Sequence, residues 1–174
     1  MDITDDTVTA VAGLISGGAG PGGTDSVSLQ HWLHRFGAAS AELRLIVRDF
    51  VDWLGNGRPP WAAYRALMSS RLIALDKQPG IRPVGVGETW RRLMVKCLLK
   101  VAGPEAKAAC GTTQLVGGLE AGIEGAIHAM RVLFEEHREE EDWGFLLIDA
   151  RNVFNEENRT AMLWAVWHEC PSGV

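Results

Sequence analysis

Asp149 closes an apolar run, Trp143-Gly144-Phe145-Leu146-Leu147-Ile148, and an aromatic residue, Phe154, follows five positions later. Such a run reads as a buried strand that presents one carboxylate at its end. A carboxylate in that place can hold a hard cation, because Mg²⁺ is bound by one or two carboxylates together with substrate phosphates. The same side chain would serve as well as a helix N-cap, or buried and paired with Arg151 or Arg159. A second set of candidates lies upstream. Lys77 and Arg82 flank the turn signal Gln78-Pro79-Gly80, which joins two extended runs, 72–75 and 81–86. Two cations on a hairpin tip can reach over a polyphosphate, and a guanidinium fork matches phosphate oxygens in two places. The same charges would also solubilise an exposed hairpin.

The elements that must position these groups follow from periodicity and punctuation. Residues 1–25 include Gly17-Gly18-Ala19-Gly20-Pro21-Gly22-Gly23 and read as a flexible Gly-rich tail. This stretch is no phosphate loop, because no Lys-Ser/Thr follows it. Residues 26–70 read as amino-terminal helices. One starts at Ser26 or Ser28 and carries Leu29, Trp32, Leu33 and Phe36. A second starts near Ser40, with Leu43, Ile46, Val47, Phe50, Val51 and Leu54 on one face, and a short third follows Pro59-Pro60. The hairpin over 72–86 leads into a helix from Glu88 to Val101, with Leu93, Met94 and Cys97 inward and Arg91, Arg92, Lys96 and Lys100 outward. A loop or short extended piece begins at Thr112. A long helix spans Leu119 to about Glu140, where the strand to Asp149 takes over. A last helix runs from about Glu156 to Pro171. His128 falls on or beside an apolar stripe and reads as an interior histidine.

Charge divides the chain. Net charge is −5, which argues against a free-standing nucleic-acid clamp. Yet residues 71–109 carry eight Lys and Arg against three acids, and residues 135–159 carry nine acids against three arginines. A basic segment beside an acidic one suits phosphate on one side and metal on the other, and it equally suits two solvated helix faces. Three cysteines without a CxxC spacing imply neither a disulfide framework nor a zinc site. No apolar run reaches membrane-spanning length, so no membrane association is expected. The acidic start is unlike a signal peptide, and the cysteine usage points to a reducing intracellular place, nucleus or cytoplasm.

Three strings, taken in order, resemble the reverse transcriptases of non-LTR retroelements. Residues 72–93, with Ile81-Arg82-Pro83-Val84 at their centre, resemble the fingers hairpin. Gln114-Leu115-Val116-Gly117-Gly118 and the residues to Met130 resemble the segment that enters the palm, although Val116 stands where the family favours glycine. Phe145 to Arg159 resembles the first catalytic motif. The resemblance covers residues 71–174 and implies an α+β fold: partial fingers and palm, mostly helical, with a β-hairpin and a small incomplete antiparallel sheet that includes the Asp149 strand. It implies an RNA-directed DNA polymerase using two Mg²⁺ ions, with Asp149 as catalytic metal ligand. Arg82, with Lys77, would contact the incoming triphosphate, and Phe154 would sit under its sugar. Arg91, Arg92, Lys96 and Gln114 would face nucleic acid. RNA template, primer and dNTP are the implied partners of the full enzyme. No Tyr/Phe-x-Asp-Asp follows in the 25 residues after Asp149. The resemblance therefore implies a fragment that is inactive alone, binds nucleic acid weakly and self-associates through an exposed sheet edge. The alternative is a non-catalytic remnant that binds nucleic acid or protein. A metal hydrolase using Asp149, Glu156 and His168 ranks last, because their spacing supplies no ligand cluster.

Overall fold

The computed structural model describes residues 1–111, 114–149 and 156–170. The fold is of the α+β class: mostly helical, with one two-stranded antiparallel hairpin among the described residues. The chain divides into two compact units, Met1–Gly103 and Pro104–Val174.

In the first unit, α1 (Asp5–Leu14), α2 (Ser26–His34), α3 (Ala38–Asn56) and the first half of α5 (Thr89–Cys110) enclose the core. Val8, Leu29, Leu33, Val51, Leu93 and Cys97 are fully enclosed. Caps set the helix starts. Thr4 Oγ1 accepts from the Thr7 amide and Asp25 Oδ1 from the Ser28 amide, each satisfying a donor that the helix leaves orphaned. Ser40 Oγ donates to the Trp32 carbonyl and accepts from the Phe36 amide, which ties α2 to α3. Arg44 donates to the Leu33 carbonyl at 2.7 Å and to Asp5 at 3.3 Å, so one guanidinium on α3 holds both preceding helices.

The expectation of a flexible tail over 1–25 is corrected here. Val8, Val11, Ala12 and Ile15 keep the i, i+3, i+4, i+7 spacing of one helix face, and all four are buried. Their burial offsets the entropy of ordering the segment.

A short α4 (Trp61–Leu67) precedes the hairpin, and its Leu67 packs on the core. The strands β1 (Ser70–Asp76) and β2 (Ile81–Gly87) pair with Leu75 opposite Arg82 and Ile73 opposite Val84. The turn closes through the Lys77 amide and the Gly80 carbonyl, 2.9 Å apart, with Gly80 at φ 96°. That positive φ favours glycine over a residue with a Cβ. Neither hairpin edge pairs with another strand among the described residues, and Leu72 and Ile81 stand 75% and 67% exposed.

The second unit contains the end of α5, a short α6 (Leu115–Gly118), α7 (Gly122–Glu136) and α8 (Arg159–Glu169). The helix expected from Leu119 starts three residues later, after Ala121 adopts a left-handed φ of 52°. The last helix starts at Arg159 rather than Glu156, because Asn158 caps it by accepting from the amides of Thr160 and Ala161. The strand expected at 143–148 is not formed: these residues pair with no other strand among the described residues. Leu146, Leu147 and Ile148 are at least 80% exposed. A strand needs a neighbour to satisfy its amides and carbonyls, and none lies beside this run among the described residues. Among the described residues the sheet is therefore the hairpin alone, and Asp149 does not end a strand.

Candidate nucleotide-facing site

The first turn of α5 gathers several polar contacts. Thr89 is fully buried, and its hydroxyl donates to the Thr24 carbonyl at 2.6 Å. Arg92 donates to the Ser16 carbonyl at 2.8 Å, to the Gly18 carbonyl, and to Thr89 Oγ1 at 2.7 Å. Glu88 accepts from the Gly22 amide through Oε1. The Gly-rich stretch thus lies directly on the start of α5. At Gly20 a Cβ would come within 2.7 Å of the Glu88 backbone, so only glycine allows the approach. Arg92 Nε is enclosed without a hydrogen-bond partner.

Arg91 is committed too. Its guanidinium donates to the Met68 carbonyl at 2.9 Å and reaches Ser70 Oγ at 3.4 Å. It therefore fastens the end of α4 and the start of β1 to α5, at the root of the hairpin. Both guanidiniums, each half-buried, are thus engaged within the fold. A guanidinium has five donors and no acceptor, so backbone carbonyls compete with phosphate for it. The tie between Arg92 and the Gly-rich stretch is a structural feature that the sequence does not announce. Its signal was the helical spacing of Val8, Val11, Ala12 and Ile15, which makes the glycines between two packed helices a connection rather than a tail.

The remaining candidates are placed as follows. Lys77, Arg82, Lys96 and Lys100 are exposed, and none has an ion-pair partner among the described residues. Arg82 sits on β2 across from Leu75, next to the turn that carries Lys77. Gln114 is exposed ahead of α6, and its side chain makes no cap hydrogen bond. Asp149 is exposed. Phe154 lies outside the described residues. His168 Nδ1 lies 2.7 Å from the Trp164 carbonyl, an ordinary intrahelical contact.

Among the described residues no group of three or more His, Cys, Asp or Glu is placed to hold a metal ion.

Two titrations are displaced. The Ser28 amide bonded to Asp25 holds that carboxyl below its ordinary value of 3.8. Burial pushes the Cys97 thiol up to about 11. No helix among the described residues is long and apolar enough to cross a membrane. No family model, curated protein or solved structure matches this chain.

Proposed function

We propose that residues 70–100 are the triphosphate-gripping fingers segment of a reverse-transcriptase-like polymerase, and that residues 114–149 begin its palm. The observation that carries this reading is the antiparallel hairpin at Ser70–Gly87, which leads directly into α5 with Lys77 and Arg82 exposed at and beside its tip. With Arg91 and Arg92 engaged by backbone carbonyls, the cations at and beside the hairpin tip that remain for a ligand are Lys77 and Arg82. Arg82 forks the phosphates of an incoming dNTP, and Lys77 adds a point charge. The 174 residues bind nucleotide weakly and do not extend a primer, because they hold one acid motif where polymerisation needs a second.

Titration of a fluorescent dNTP tests this reading. Arg82→Ala should weaken binding more than Lys100→Ala does.

A second reading is favoured by the exposed apolar residues of the second unit, where Ile127, Leu163, Trp164 and Trp167 are each at least 60% exposed. Surfaces of that kind mark protein–protein contacts, which suits a non-catalytic binding module.

A further inference from the structure

Helix α7 carries a seam with the spacing of a coiled coil, largely uncovered among the described residues. Ile123, Ile127, Met130 and Phe134 recur at intervals of four, three and four residues. They stand 52%, 60%, 39% and 53% exposed, and the ring contact of Phe134 with Phe145 leaves about half of the Phe134 side chain uncovered. A lone helix of 15 residues is marginal in water, so this face calls for a cover.

The charges beside the seam say what covers it. At 100° per residue, Glu124 and Arg131 lie on one flank, seven residues apart, while Ala126 and Leu133 line the other. Neither Glu124 nor Arg131 has an ion-pair or hydrogen-bond partner among the described residues. In a parallel pair each flank faces the opposite flank of its neighbour, and both charges would meet Ala126 or Leu133. In an antiparallel pair like flanks meet, so Glu124 faces Arg131 of the other helix, twice by symmetry. The same two-fold sets Ile123 against Phe134 and Ile127 against Met130, so the four apolar layers and the two ion pairs coincide in one register.

We propose that α7 is a homodimerisation helix, pairing antiparallel with α7 of a second copy of this chain through a two-fold, isologous contact. This rests on the second unit alone and stands or falls independently of the nucleotide reading.

Sedimentation equilibrium of the full chain, with charge-reversed variants, tests it. Wild type should form dimers. Glu124→Arg and Arg131→Glu should each weaken dimerisation about tenfold, because each places like charges at both pairs. Mixing the two variants should restore wild-type affinity, because the mixed pair sets two arginines against two glutamates in the same register. Both substitutions are on an exposed helix face, and circular dichroism should find their helicity unchanged. A monomeric wild type would overturn the proposal, with the seam then left for a different protein. So would association indifferent to either reversal, as expected if the 145–148 run drove it, and so would a mixture no tighter than its components.

Discussion

Arg92→Ala should destabilise the first unit, and the size of the effect follows from its contacts. The guanidinium makes three hydrogen bonds, to two main-chain carbonyls and to the hydroxyl of Thr89, which is fully buried. A hydrogen bond to a charged group contributes about 1.5–3 kcal/mol, and solvent reaches the Gly-rich stretch, so the three together are discounted to about 2–4 kcal/mol. In a unit of about 100 residues each kcal/mol moves the midpoint by about 4–8 °C, giving a fall of about 8–32 °C. Arg92→Lys keeps the charge but loses the fork, and should recover at most half of the loss. Arg82→Ala, on an exposed strand position, should stay within about 0.5 kcal/mol of wild type. Thermal unfolding of the full chain followed by circular dichroism separates these cases. A midpoint for Arg92→Ala within about 3 °C of wild type, smaller than one such hydrogen bond implies, would refute the structural role argued for Arg92.

Two further outcomes follow from the displaced titrations. Asp25 has a folded-state pKa below its ordinary value of 3.8, so its contribution to stability is complete above 3.8 and is lost as pH falls through the lower folded value. Asp25→Asn keeps a capping oxygen and removes the titration. The difference in midpoint between wild type and variant should be constant near neutral pH and change in favour of the variant below 3.8; a difference that does not vary with pH would contradict this. Cys97, with its thiol at about 11 and no exposed surface, should resist a disulfide reagent at pH 8 until the unit unfolds, while half-buried Cys110 reacts first. Peptide mapping after partial labelling reads the order, and equal rates would count against the packing of α5.

Parts of the fold were legible for definite reasons. The α3 face was readable because Val47 and Val51 recur at helical spacing, and the hairpin because Pro79-Gly80 interrupts two extended runs. Helix α1 was hidden by the glycines beside it, whose composition masks the helical period of Val8, Val11, Ala12 and Ile15. The 143–148 run has the content of a strand, but strand formation depends on a neighbour that local sequence cannot specify. At the site, the positions of Lys77 and Arg82 on an exposed turn and strand were legible. The fate of Arg91 and Arg92 was not, because a guanidinium beside a basic helix reads the same whether it meets phosphate or the carbonyls of a distant loop.

The central claim is that the hairpin grips a triphosphate through Arg82, and the dNTP titration at several salt concentrations tests it most directly. Weak binding is expected, with log affinity falling against log salt by about 0.7–0.9 per phosphate contact. Arg82→Ala should reduce both the affinity and that slope, while Lys100→Ala leaves most of each in place. Equal effects of the two variants, or tight binding indifferent to salt, would contradict the account and leave the hairpin tip a solvated turn.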